Sequence, residues 1–135
     1  MNSLDTNVLA RFFIDDPDDA QAARQRPAAV AALSERSIVT ITVILEFEWV
    51  MRGFYGLARA DITQVLSALL GIEHITIEDR EAVNAALDLF GAGMDLADAL
   101  HLARSGSAAA FVTFDRRLAR RAMALGTSPA LEVLE

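Results

Sequence analysis

Short apolar stretches alternate with longer segments of helical periodicity along the 135 residues, and this alternation constrains the fold more than any other feature. The pattern predicts strands at 2–5, 37–41, 74–77, 109–113 and near 130–134. It predicts helices at 7–14, 17–35, 43–53, 59–71, 79–91, 95–105 and 116–125, with the second helix kinked or split near Pro27. Strands that are separated by helices favour a mainly parallel sheet, so the predicted fold class is α/β.

Four acidic residues occupy positions that this pattern would gather at one edge of the sheet: Asp5, Glu46, Asp98 and Asp115. Asp5 and Asp115 each close a strand and open a helix, and ligands of open parallel α/β sheets bind at the carboxyl ends of the strands. At about 4 Å, each like-charged pair costs about 1 kcal/mol in water and about 4 kcal/mol at an effective dielectric near 20, so such a cluster needs protons or cations. Oxygen ligands without any cysteine favour Mg²⁺ or Mn²⁺.

Several of these residues also have a purely structural interpretation. Asp95 precedes a predicted helix, so N-capping is its favoured role, with an outer position in the site as the alternative. Asp5 and Asp115 are likewise placed to cap the helices that follow them. Asp98 lies among apolar residues in LADALHLA, where a solvated carboxylate is poorly placed, so a ligand role is favoured for it.

Glu46 is surrounded by apolar residues in TVILEFEWVMRG, which leaves it almost no polar helix face. A buried, unpaired carboxylate would be costly, and this favours a role in the site. Glu48 lies roughly opposite on the same helix, so we predict that it is solvated or at an interface. The aromatic residues are predicted to be in the core or at an interface: Phe12, Phe13, Trp49 and Phe90.

Four polar residues are candidates for contacts beside the acidic set. Asn7 and Thr113 could hold a water next to a metal ion, although helix capping and strand propensity explain them equally well. His101, one turn beyond Asp98, is more typical of packing or substrate contact than of a hard-metal ligand. Arg116 begins a run with Arg117, Arg120 and Arg121 that suits either a phosphodiester chain or a solvated helix face.

The charge balance excludes some classes of protein. A net charge of −7 argues against a passive nucleic-acid-coating protein, but a nuclease with metal-neutralised carboxylates remains compatible with it. No apolar run reaches the roughly 18 residues of a membrane span, and the amino terminus lacks the pattern of an export signal, so we expect a cytoplasmic location. The hydrophobic fraction of 53% reflects either an oligomer or partner interface or simply the abundance of alanine.

All twelve basic side chains are arginine, and the chain contains no lysine. Receiver-like signalling domains and phosphatases of the haloacid dehalogenase type share an α/β fold and an acidic pocket. Both classes normally rely on a lysine near the phosphate. The composition therefore disfavours both.

The segments LDTNVLARFF, ILEFEWVMR, DLADALHLA and VTFDRRLA, in this order, resemble the PIN domain and specifically the VapC-type toxins of bacterial toxin–antitoxin pairs. The resemblance covers essentially the whole chain. It implies one domain over 1–135, a three-layer sandwich with a mainly parallel central sheet of four to five strands flanked by helices. It also implies that Asp5, Glu46, Asp98 and Asp115 form the metal-binding catalytic set, with Thr113 as the small hydroxyl residue near the site.

The same resemblance implies an Mg²⁺- or Mn²⁺-dependent endoribonuclease that hydrolyses RNA phosphodiester bonds. It implies a homodimer and a cognate antitoxin whose carboxyl-terminal segment can place a basic side chain in the acidic pocket. A related nuclease that acts on DNA is one alternative, because carboxylate and metal chemistry do not read the sugar. A non-catalytic binding module on the same fold is the other, because a fold does not fix a function.

Overall fold

The computed structural model describes residues 1–135 and contains five strands and seven helices. In chain order these are β1 (Asn2–Ser3), α1 (Thr6–Phe13), α2 (Ala20–Leu33), β2 (Ser37–Val39), α3 (Ile41–Gly53), α4 (Arg59–Leu70), β3 (Ile75–Ile77), α5 (Arg80–Gly91), α6 (Leu96–Ala103), β4 (Ala110–Thr113), α7 (Arg116–Leu125) and β5 (Ala130–Val133). The predicted α/β class and the alternation of elements are confirmed.

The chain divides into two compact units, residues 1–80 and residues 81–135. All strand pairs are parallel, as predicted, and the five strands form one sheet of three and one sheet of two. A single domain over 1–135 stays a prediction.

In the first unit, the strand order is β1-β2-β3, with Asn2 opposite Ser37 and Ser37 opposite Ile75. Helix α1 packs against α2 and α3. Apart from Glu48, the largest fully buried side chains of this unit are apolar and come from its helices and β3: Leu9, Ile44, Phe47, Met51, Ile62, Leu69 and Ile75. Burial of these side chains is the main source of stability for the unit.

Helix α2 is continuous from Ala20 to Leu33 with Pro27 inside it, so the prediction that it splits near Pro27 is wrong. Proline removes one backbone donor, but packing and capping can outweigh that loss. The Asp19 carboxylate accepts from the amides of Gln21 and Ala22 at the amino end. Ala22, Ala29 and Leu33 lie on one face of the helix, and all three are buried.

The amino end of α3 is held by a side chain from elsewhere in the first unit. Thr40 is its N-cap residue, but its hydroxyl makes no capping bond. The Glu78 carboxylate, just beyond β3, instead accepts from the Ile41 amide at 2.9 Å. This contact links α3, which carries Glu46, to the end of β3.

In the second unit, β4 and β5 pair over four positions from Ala110 opposite Ala130 to Thr113 opposite Val133. Helix α7 packs against β5 and ends at Gly126, whose φ of 67° is a left-handed cap that glycine adopts without strain. Phe90 is buried, as predicted. None of the helices in either unit combines the length and the apolar character that crossing a membrane requires.

Candidate active site

Asp5 and Glu46 in the first unit are connected through Thr6. The Asp5 carboxylate caps α1 by accepting from the Thr6 amide at 2.8 Å. The buried Thr6 hydroxyl donates to Oε1 of Glu46 on α3. Two predicted acidic site residues from different elements therefore flank one threonine. Sequence reasoning did not identify Thr6, because nothing local in DTNVL indicates that its hydroxyl meets a residue 40 positions along the chain.

Glu46 and Glu48 lie on different faces of α3, as their spacing predicts, but the prediction that Glu48 is solvated or at an interface is wrong. Glu46 is exposed, whereas the Glu48 side chain is only 3% exposed. Both carboxylate oxygens of Glu48 lie 3.2 Å from Nε of Arg52, one turn further on. This ion pair satisfies the buried charge, and it leaves Glu46 as the carboxylate that α3 presents at the surface.

Asp98 on α6 is partly buried and lies near other charged side chains. Burial raises the pKa of Asp98 above its ordinary value of 3.8, and the charges of Asp95 and Asp115 raise it further, while His101 lowers it. Two carboxylates from other positions of the second unit thus lie close enough to Asp98 to disfavour its charged form. Asp115, a predicted site residue on another element, therefore lies within electrostatic range of Asp98.

Hydrogen bonds with nearby backbone amides hold the residues around Asp98 in place. Asp95 caps α6 by accepting from the amides of Ala97 and Asp98, as predicted. Asp115 caps α7 by accepting from the Leu118 amide at 3.0 Å. The Thr113 hydroxyl in turn accepts from the Asp115 amide at 2.9 Å, so it holds the backbone at the end of β4.

Helix capping occupies only one oxygen of the Asp5 carboxylate and one of the Asp115 carboxylate. Asp5 and Asp115 each use one oxygen, Oδ1, toward a helix amide, and their second oxygens accept no hydrogen bond from the protein. A capping role and a ligand role are therefore compatible in the same side chain.

Three other candidates are placed as follows. The ring of His101 stacks on Phe111, with centroids 6.3 Å apart and an angle of 17° between planes, which agrees with a packing role. Asn7 is exposed in the first turn of α1, and the capping role considered for it is wrong because Asp5 is the cap. Arg116 is exposed at the start of α7.

Trp49, predicted to be in the core or at an interface, is 61% exposed, which excludes the core.

No group of three or more aspartate, glutamate, histidine or cysteine side chains is arranged to hold a metal ion. Asp5 and Glu46 belong to the first unit, and Asp98 and Asp115 belong to the second. The assembly of all four carboxylates into one cluster stays a prediction. The donor chemistry fits a hard divalent cation, because every candidate ligand is a carboxylate oxygen and the repulsion felt by Asp98 is what a cation would relieve.

A family model described as the PIN domain matches residues 3–123 of the chain. This match covers most of both units and includes every candidate residue discussed above. No curated protein and no solved structure matches the chain. The chain therefore belongs to the PIN domain family, which is a family of nucleases.

Proposed function

We propose that this protein is a metal-dependent endoribonuclease that acts as the toxin of a toxin–antitoxin pair. The observation that carries the proposal is the match of residues 3–123 to a nuclease family, over a stretch that contains all four candidate carboxylates. Two local arrangements support it: Asp5 and Glu46 both accept hydrogen bonds from Thr6, and Asp115 lies within electrostatic range of Asp98.

The donor set assigned to the cation comprises Asp5, Glu46, Asp98 and Asp115. When bound there, Mg²⁺ or Mn²⁺ would supply positive charge against the phosphoryl oxygens and acidify a nearby water. The protein's own contribution is orientation. Thr6 holds Oε1 of Glu46, and Thr113 holds the Asp115 backbone, so that the remaining carboxylate oxygens have restricted positions.

Without a cation, an RNA backbone and the acidic residues repel each other. Substrate binding at this position and cation binding are therefore coupled, and we expect cleavage to vanish in EDTA.

The toxin role and its partners have separate support. Trp49 and Phe54, at the carboxyl-terminal end of α3, are 61% and 74% exposed, and such large apolar side chains suit burial in a homodimer or against an antitoxin. The net charge of −7 suits an antitoxin with a basic segment. We expect co-expression with a small DNA-binding protein encoded in a neighbouring reading frame to neutralise the toxicity and to yield a complex.

The proposal is tested by incubating the purified protein with a structured RNA and with single-stranded DNA of the same sequence, in Mg²⁺, Mn²⁺ or EDTA. We expect the RNA to be cleaved and the DNA to remain intact. We expect this cleavage in Mg²⁺ or Mn²⁺ but not in EDTA. Asp98→Asn should abolish cleavage while circular dichroism shows an intact fold. Asp88→Asn is the matched control, because Asp88 is an exposed aspartate of α5 in the same unit and its replacement removes the same charge.

Three outcomes would contradict the proposal. Normal cleavage by Asp98→Asn would exclude the assigned site. Cleavage of the DNA alone would make the protein a deoxyribonuclease. Binding of RNA without cleavage under any metal condition would make it a binding module. The toxin role is tested by induced expression in cells with mapping of new RNA ends, and it fails if wild type and Asp98→Asn affect growth equally.

A further inference from the structure

Helix α7 carries a strongly basic surface in an otherwise acidic protein. We call this surface the arginine face, and it comprises Arg116, Arg117, Arg120 and Arg121. All four residues are exposed, and none of them forms an ion pair. Four of the twelve basic residues of the chain thus lie within six consecutive positions.

The arginine face points away from the packed side of the helix. At about 100° per residue, the four arginines span an arc of roughly 140°. The arc is centred opposite the buried residues Leu118, Ala119 and Ala122. Arg121 also donates a hydrogen bond to the Gly93 carbonyl, so the guanidinium groups that project into solvent are those of Arg116, Arg117 and Arg120.

This arrangement is unfavourable for the helix itself. The pairs Arg116/Arg120 and Arg117/Arg121 place like charges one turn apart, which destabilises a helix. Arg116 and Arg117 also stand in the first turn, where positive charge opposes the helix dipole. A face that served only solubility would alternate acidic and basic residues, so the pattern points to an anionic ligand.

An exposed aromatic side chain adjoins this face. Phe114 follows β4, is 71% exposed, and precedes Asp115 and Arg116 directly in the chain. Arginines bind phosphates, and an exposed aromatic ring stacks with an unpaired base. A base within an A-form duplex is already stacked and is not available to such a ring.

We infer that Phe114 and the arginine face bind an unpaired stretch of RNA and guide it to Asp115. This inference rests on the proposed ribonuclease function and adds to it the surface that holds the substrate beside the site. Phe114 stacks on one base, while the arginines follow the backbone of the neighbouring nucleotides.

The inference is tested by fluorescence anisotropy in EDTA, with a fluorescein-labelled 12-nucleotide oligouridine and with the same strand paired to oligoadenosine. We expect the double variant R116Q/R120Q to bind the single strand roughly tenfold more weakly at 0.1 M salt and to reduce the slope of log K against log salt by about 1.4. Because these substitutions remove a repulsive pair, the helix should remain folded.

The matched control is R24Q/R36Q, which removes the same charge from two exposed arginines of the first unit and should bind like the wild type. We expect Phe114→Ala to weaken binding about tenfold without a change in salt slope, and Phe114→Trp to retain it. The duplex should bind more weakly than the single strand.

The inference is overturned if R116Q/R120Q binds like R24Q/R36Q, if Phe114→Ala has no effect, or if the duplex binds as well as the single strand. These outcomes are separable from a failure of the proposed function, because binding is measured without metal or cleavage. A wild type that binds through this surface but never cleaves supports the surface and refutes the ribonuclease. If the wild type cleaves RNA while R116Q/R120Q and Phe114→Ala bind RNA normally, the ribonuclease function is supported and the binding surface is refuted.

Discussion

At the scale of single residues, the charge of Asp98 links the candidate site to stability. The pKa of Asp98 is raised in the folded state by burial and by Asp95 and Asp115, relative to its ordinary value of 3.8. Between 3.8 and the raised pKa, the folded protein therefore binds more protons than the unfolded chain. The contribution of Asp98 to folding stability consequently falls as the pH rises through that interval. Above the raised pKa, the charged carboxylate destabilises the folded state relative to the unfolded chain.

Asp98→Asn should therefore raise the melting temperature in EDTA at pH 7. The gain should shrink as the pH is lowered toward 3.8, because the wild-type carboxyl is then protonated as well. Differential scanning calorimetry of both proteins from pH 7 to pH 4 measures this difference. Asp88→Asn should show no such gain. A lower melting temperature for Asp98→Asn at pH 7 would contradict the environment described for Asp98.

Thr6 offers a second test at this scale. Thr6→Val keeps the shape of the side chain but removes the hydroxyl that donates to Glu46. We expect a loss of about 1 kcal/mol in the free energy of unfolding, measured by urea denaturation, because Glu46 is exposed and water partly replaces the bond. Thr6→Ser should lose less. Equal stability of Thr6→Val and wild type would show that the bond contributes nothing.

The residues also show where sequence reasoning stops. Capping by Asp95 and the capping option for Asp115 followed from the order of residues alone, because a cap acts on amides two or three positions away. The roles of Thr6 and Glu48 did not follow. Thr6 meets a distant residue, and α3 is apolar on so many sides that periodicity does not indicate which glutamate is buried.

At the scale of elements, α2 shows how packing overrides a local rule. Proline at position 27 should interrupt a helix, yet α2 continues to Leu33. Its amino end is capped by Asp19, and it packs against α1. The sequence pattern contained the proline but not the strength of the packing that opposes it.

Pro27→Ala should therefore stabilise the protein. The substitution restores a backbone donor inside α2, which favours the helix by about 3 kcal/mol, while the unfolded chain gains freedom that offsets up to about 1 kcal/mol. We expect a net increase of roughly 2 kcal/mol in the free energy of unfolding by urea denaturation. Ala28→Gly, one position further along the exposed part of the helix, should instead destabilise by about 1 kcal/mol. A loss of stability in Pro27→Ala would mean that the proline ring makes a favourable contact.

At the scale of the whole molecule, the alternation of elements was predictable because each helix is long enough to show its period. The division of the strands into sets of three and two was not. β1 has only two residues and β2 and β3 have three each, which is too short for sequence to define their neighbours. The parallel direction was predictable, because a helix separates each strand from the next.

Cation binding provides the test that involves the whole molecule. A ligand that binds only the folded state stabilises it by mass action, by about 2.7 kcal/mol at one hundred times its dissociation constant. Mn²⁺ or Mg²⁺ should therefore raise the melting temperature of the wild type in a concentration-dependent way. Asp98→Asn should show a smaller rise, although it starts from the higher melting temperature in EDTA, so the order of the two proteins should reverse as metal is added. Asp88→Asn should follow the wild type throughout. If all three proteins respond equally to metal, the cation binds elsewhere, and the carboxylates assigned here do not form its site.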